Sequence, residues 1–132
     1  ARLLDCAVST VESDRMAAAS LLAETYGCSG VLKGPGSVLF AAHTSAICAQ
    51  GNAGMATAGM GDVLSGIAGG LVAEVAAKGE TGVVALNHAF QSAVLWHSAA
   101  ADLAAIELGQ RSLMATDVIS FLPEAGQSSL ST

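Results

Sequence analysis

The sequence predicts an α/β fold, and three observations carry that expectation. Its elements fall in the order helix, short strands, Gly-rich loop, long helices. It is 52% hydrophobic and only 12% charged, the balance of a chain that buries a core rather than one that stays disordered. Its apolar residues are mostly Ala, Val and Leu, with 15 glycines and 4% aromatics, a mixture that suits helices packed closely on a sheet. At 132 residues there is room for one domain and one core.

Each element has its own local signal. Ser9 and Glu12 form a capping-box pattern. The spacing after them predicts a helix from Val11 to Tyr26 with Val11, Ala18, Leu21, Leu22 and Thr25 toward the core, and Gly27 is its natural stop. Gly30 to Lys33 reads as a short strand ending in a lysine, and Pro35-Gly36 as a turn. Ser37 to Ala42 is a second strand, and after His43-Thr44-Ser45 a third runs from Ala46 to Ala49. Gln50 to Gly61 has no periodicity and reads as a Gly-rich loop. Asp62 opens a helix to about Lys78, and Thr81 caps another from Val83 to about Glu107, with Gly109 past its end. Thr116 caps a short last helix that Pro123 terminates, and the Ser-rich stretch 126–132 is expected to be a disordered tail. Two or three short strands make a poor sheet alone. The pattern therefore reads as part of a larger sheet, or as a chain that relies on a partner.

Charge and cysteine usage narrow the ligands. A net charge of −6 argues against a broad basic surface, so no nucleic-acid partner is expected. An anionic ligand must be held locally, by backbone N–H groups and a few Lys or Arg. Cys6, Cys28 and Cys48 are odd in number and form no C-x-x-C, and they read as the reduced thiols of a cytoplasmic protein. Cys48 with His43 does not make a tetrahedral zinc site, and no metal ligand is named. The start has no basic region followed by an apolar run, so no secretory signal is expected. Val63 to Ala77 is too short to span a bilayer and is interrupted by Glu74. The next run carries Asn87, His88, Gln91, His97 and Asp102, so both read as buried helices and no membrane partner is expected. His88 and His97 read as core or interface histidines, Met55 and Met60 as packing residues, Asp102 as a surface charge and Asp117 as a helix-start residue.

The chemistry concentrates in Gly51-Asn52-Ala53-Gly54-Met55-Ala56-Thr57-Ala58-Gly59-Met60-Gly61-Asp62. Glycines let the backbone turn its N–H groups toward a ligand. The loop runs into a helix, whose first turn carries unpaired N–H donors and the positive end of the macrodipole. Together these suit a phosphate. Asp62 at the mouth has two readings. One is a helix N-cap, which spacing alone favours. The other is a general base that takes a proton from a substrate hydroxyl while nearby amides hold the transferring phosphoryl group. No Gly-Lys-Ser/Thr follows the glycines, so the loop is not a Walker A motif.

The longer string from Gly51 to Ile67 resembles the signature of the ADP-dependent NAD(P)H-hydrate dehydratases, a family of the ribokinase-like superfamily. Upstream, Val31-Leu32-Lys33-Gly34-Pro35-Gly36-Ser37-Val38 resembles the family's Lys-Gly-x-Gly-Thr/Ser nucleotide segment, with Ser37 in place of the usual Thr. Downstream, His97 to Asp102 and Leu113 to Val118 are similar to its later helix and closing turn. The resemblance implies a three-layer ribokinase-like α/β fold, present here as its C-terminal portion over residues 1–125. It implies an ADP- or ATP-dependent lyase that restores NADH or NADPH from the hydrated form by phosphorylating the ring hydroxyl and eliminating the phosphate.

By the same resemblance, Asp62 is catalytic and touches the hydrated substrate. Lys33, Gly34, Pro35, Gly36, Ser37 and Gly61 bind the nucleotide, and Asn52, Thr57 and Gly59 shape or support the anion hole. Mg²⁺ is expected from phosphoryl-transfer chemistry. The family's catalytic domain is longer than this chain. Its N-terminal half supplies several strands and much of the nicotinamide pocket, so the chain alone is expected to have little activity and to self-associate as a homo-oligomer. A ribokinase-like small-molecule kinase and a non-catalytic nucleotide-binding remnant remain as alternatives. The kinases usually lack the Gly-Asn-x-Gly-Met-Ala-Thr lead-in.

Overall fold

A computed structural model describes residues 1–41 and 44–129. The chain forms two compact units, Ala1–Ala49 and Gln50–Thr132.

In the first unit, α1 (Val8–Ser13) and α2 (Arg15–Tyr26) precede a meander of β1 (Gly30–Leu32), β2 (Ser37–Ala41) and β3 (Thr44–Cys48). The sheet is antiparallel in the order β1-β2-β3, with Val31 opposite Leu39 and Leu39 opposite Ala46. Ala19 and Ala23 of α2 are buried against Val38 and Phe40 of β2. Within the sheet, Gly30 of β1 leaves room for the side chain opposite it: a β-carbon there would lie 2.6 Å from the Phe40 ring. β3 is exposed along Thr44–Ile47 and closes with the buried Cys48.

The single helix expected from Val11 to Tyr26 is broken. Asp14 leaves helical geometry (φ −149°, ψ 87°), and its carboxylate accepts from the Ala17 N–H at 2.9 Å, capping α2. The Ser9–Glu12 box caps nothing, and α1 starts after Ala7 without a side-chain cap. Val11 and Ala18 are buried and Leu22 packs on the core as expected, while Leu21 and Thr25 are exposed and Ala19 and Ala23 are buried in their place. Gly27 ends α2 as expected, in the left-handed region at φ 59°. The second strand was expected to reach Ala42. That residue and His43 lie outside the described residues.

The second unit is helical: α3 (Met60–Ala77), α4 (Val83–Leu108) and α5 (Ala115–Ser129), with a 3-10 turn at Ala53–Met55. α4 is the central helix, packed on both α3 and α5. Its Ala100, Ala101 and Ala104 are fully buried together with Met60, Leu113, Val118 and Ala125. Met60 and Met55 are thus packing residues, as read from the sequence. His97 is buried and His88 exposed. α3 is 18 residues long with a mean hydropathy of 1.4, long and apolar enough to cross a membrane by length and composition; 17% of it is buried. An exposed Glu74–Lys78 ion pair (2.6 Å) closes its last turn.

Three helix ends differ from expectation. Gly82, not Thr81, is the N-cap of α4. α5 starts at Ala115, and the Asp117 carboxylate reaches back to accept from the Met114 N–H at 2.8 Å. Pro123 does not stop α5, which continues to Ser129, so residues 126–129 are helical rather than tail. A proline forfeits one i→i−4 bond and strains the preceding turn. Here packing offsets that loss, because Phe121, Leu122 and Ala125 sit in the core and the Trp96 indole N–H donates to the Leu122 carbonyl at 2.7 Å. Residues 130–132 lie outside the described ones.

Candidate active site

The helix that carries Asp62 begins earlier than its sequence suggests. Gly59 is the N-cap, in the left-handed region (φ 84°, ψ −16°), and Met60 and Gly61 form the start of α3. A β-carbon at Gly59 would lie 3.1 Å from that of Ala115, so glycine serves both the backbone angle and the packing. Asp62 is then the third helical residue. Its N–H bonds the Gly59 carbonyl at 3.0 Å, and its side chain caps nothing. The N-cap reading of Asp62 is therefore excluded. Its carboxylate is exposed at the positive end of α3 and, among the described residues, takes no hydrogen bond.

The backbone before Asp62 is rich in unused donors. Among the described residues, the N–H groups of Thr57, Ala58, Gly59 and Gly61 meet no acceptor in hydrogen-bonding geometry. Thr57 is exposed, with no hydrogen bond to its hydroxyl. Burial of Met60 in the alanine core fixes the start of the helix directly after the donors of Thr57, Ala58 and Gly59. The arrangement leaves several unpaired N–H groups within a few residues of an uncommitted carboxylate, a combination suited to an anion.

The front of the loop is tied down differently. Asn52 Nδ2 donates to the Ala101 carbonyl (3.0 Å) and to Asp102 Oδ1 (2.9 Å), while its Oδ1 accepts from the Gly54 N–H (3.0 Å). Asp102 Oδ2 accepts from the Gly51 N–H at 2.9 Å. Both amide hydrogens of Asn52 are thus engaged by protein. Asp102, read from the sequence as a surface charge, is half-buried and fastens the loop to α4. Gly51 takes φ 109°, open only to glycine.

In the first unit, Lys33 to Gly36 form the tight connection between β1 and β2, and Ser37 opens β2. Lys33, Gly34, Pro35 and Gly36 are exposed. The Ser37 hydroxyl donates to the Gly34 carbonyl at 3.2 Å and closes the turn. Gly36 takes φ 61°. Beneath the turn lies Arg15, which the sequence did not single out. Its Nη1 donates to the Pro35 carbonyl (2.8 Å) and its Nη2 to the Leu32 carbonyl (2.9 Å). A β-carbon at Gly34 would meet that guanidinium at 2.6 Å.

The structure thus brings Asn52, Thr57, Gly59, Gly61 and Asp62 into one loop and helix start, and Lys33 through Ser37 into one turn. Among the described residues no three His, Cys, Asp or Glu side chains converge as a metal cage. Mg²⁺ needs none, since it takes one or two carboxylates together with phosphate oxygens and water. An open groove of about 610 Å³ between α3 and α4, lined by Leu71, Val75, Val84, Ala85 and His88, contains no residue of the loop and is no part of the site.

The family model for NAD(P)H-hydrate dehydratase matches residues 1–124. A bifunctional NAD(P)H-hydrate repair enzyme from Vibrio cholerae is 46% identical over 124 residues, covering 94% of this chain and 24% of that protein. An ADP-dependent (S)-NAD(P)H-hydrate dehydratase from Neisseria meningitidis is 41% identical over 104 residues, covering 78% of this chain and 32% of that one. The crystal structure of an ADP/ATP-dependent NAD(P)H-hydrate dehydratase from Bacillus subtilis, co-crystallised with ATP and Mg²⁺, superposes with a TM-score of 0.76 at 24% identity, over 89% of this chain and 40% of its own. The chain spans about a quarter of the length of the Vibrio relative. The expected fold class holds: this is a portion of a ribokinase-like α/β fold. The chain belongs to the NAD(P)H-hydrate dehydratase family.

Proposed function

We propose that this chain supplies the phosphate-binding loop and the catalytic carboxylate of an ADP- or ATP-dependent dehydratase acting on hydrated NADH or NADPH. The observation that carries the reading is the set of free N–H groups at Thr57, Ala58, Gly59 and Gly61 beside an exposed, uncommitted Asp62 carboxylate. Lys33 to Ser37 hold the AMP part of the nucleotide, with Lys33 as the local cation and the turn backbone as the close-approach surface. Gly61 and its neighbours receive the terminal phosphoryl group at the positive end of α3. Residues 1–125 are read as one stretch of ribokinase-like nucleotide-binding domain in a cytoplasmic enzyme.

The chemistry follows from these placements. Asp62 takes the proton of the ring hydroxyl while the hydroxyl oxygen bonds to the terminal phosphorus. The phosphorus–oxygen bond to the nucleotide breaks, and ADP leaves as AMP, or ATP as ADP. The N–H groups balance charge on the phosphoryl oxygens as it develops. The ring C–O bond then breaks, phosphate departs, and loss of a proton from the neighbouring carbon restores the double bond. Mg²⁺, when bound with the nucleotide, neutralises phosphate charge. Its fit here is through phosphates and water.

Calorimetric titration of the chain with ADP and with AMP tests the reading. Both should bind, with ADP the tighter because only it carries a terminal phosphoryl group for the Gly61 donors. No heat from either at millimolar ligand sinks the proposal. Transfer from ATP to another hydroxylated small molecule, with hydrated NADH untouched, replaces the dehydratase with a small-molecule kinase.

A further inference from the structure

Asp102 stands 51 residues from Gly51 in sequence, yet its carboxylate is what the front of the loop hangs from. We propose that Asp102 is a positioning residue: through Gly51 and Asn52 it sets where the free N–H groups of the loop point. This rests on the reading of those groups as phosphate donors.

The chain of contacts is short. Asp102 Oδ1 and the Ala101 carbonyl both face Asn52 Nδ2, so the Asn52 amide has one orientation, with Oδ1 toward the Gly54 N–H. The Asn52 carbonyl in turn accepts from the Met55 N–H at 3.1 Å, and Ala53 from Ala56 at 3.2 Å, which closes the 3-10 turn. Directly after that turn the unpaired donors begin. Met60 clamps their far end into the same alanine core that holds Ala101. The donor segment is therefore suspended between two points of one rigid helix packing, Asp102 in front and Met60 behind.

A carboxylate is the side chain this job needs. Two N–H donors converge on it, one per oxygen, and a carboxylate accepts with both oxygens and donates with neither. Asparagine keeps the shape but turns one acceptor into a donor, which then faces another donor. The charge also has a selective effect. It engages Gly51 and Asn52 inside the protein, so an anion is received only by the donors from Thr57 onward.

The test compares the wild-type chain with Asp102→Asn and Asn52→Ala by amide hydrogen exchange and by ADP and AMP titration. Exchange at Gly51 and Gly54 should quicken about tenfold or more in Asp102→Asn, and ADP affinity should fall by a similar factor while AMP affinity holds. Asn52→Ala should show the same ADP-selective loss, and the double variant should be no worse than the poorer single one. Unchanged exchange overturns the proposal. So does quickened exchange with unchanged ADP affinity, or an equal loss of ADP and AMP, which marks Asp102 as merely structural. If Asp102→Asn does not fold, Asn52→Ala decides by the same criteria. A wild-type chain that binds no ADP overturns the functional reading and this proposal together, whereas intact wild-type binding with unaffected variants overturns this proposal alone.

Discussion

The Gly54 backbone lies so close to Gln110 that a β-carbon on Gly54 would stand 2.6 Å from the Gln110 carbonyl oxygen. The same atom would also lie 2.9 Å from Asn52 Oδ1. One obstacle is main chain, so it cannot swing aside as a flexible side chain does. Gly54→Ala should therefore destabilise the unit Gln50–Thr132 by about 1–3 kcal/mol, the range for overpacking a fitted site. It should also weaken ADP binding, because the loop must lift away from Gln110. Urea denaturation checks the first part, and a midpoint equal to wild type would refute the contact.

Asp62 makes the opposite case. Its carboxylate is exposed, caps nothing and takes no hydrogen bond among the described residues. Asp62→Asn removes only a favourable charge in the first turn of α3, so the loss of stability should stay within about 1 kcal/mol. ADP binding should persist. In a full-length enzyme that contains this stretch, turnover of hydrated NADH should fall about 10²- to 10⁴-fold, the usual loss of a general base. A stable variant with undiminished turnover removes Asp62 from the chemistry.

These two residues show what the sequence makes legible. Glycines and an aspartate adjacent along the chain announce a loop and a helix start, and Lys33-Gly34-Pro35-Gly36 announce a turn, because local conformational preference decides both. The helix start was misplaced to Asp62 because an aspartate ranks high as an N-cap, while here the left-handed Gly59 and the buried Met60 decide. Asp14 was passed over because the helical pattern runs through it, although its own cap breaks the helix. Asp102 and Arg15 were illegible for another reason. Their partners are 51 and 20 residues away, and no periodicity or composition encodes a contact across that distance. Pro123 failed as a stop signal because tertiary packing outweighed one lost helical bond.

Arg15 bears on the turn proposed to hold the nucleotide. Its two guanidinium nitrogens each hold a carbonyl, Leu32 and Pro35, on either side of Lys33-Gly34. A lysine offers one point charge and cannot span both in that geometry. Arg15→Lys should loosen the turn and weaken AMP and ADP alike, by about tenfold, as expected for a lost charged hydrogen bond. The equal effect on both nucleotides separates it from a change in the glycine loop. Calorimetry of both ligands checks it, and unchanged AMP affinity would discard the idea.

Trp96 explains how α5 survives its proline. The indole N–H donates to the Leu122 carbonyl at 2.7 Å, and the ring lies along Gly126, where a β-carbon would come within 3.3 Å. Trp96 thus grips α5 on both sides of Pro123. Phenylalanine keeps part of the apolar contact but has no N–H. Trp96→Phe should destabilise the unit by about 1 kcal/mol for the hydrogen bond, and more through the lost ring area. The loss should be local as well. Amides after Pro123 should exchange faster, while those of Val118 to Leu122, held by the buried Val118 and the packed Phe121, keep most of their protection. Uniform loss of protection along α5 would mean that Trp96 supports the helix as a whole and that Pro123 needs no such clamp.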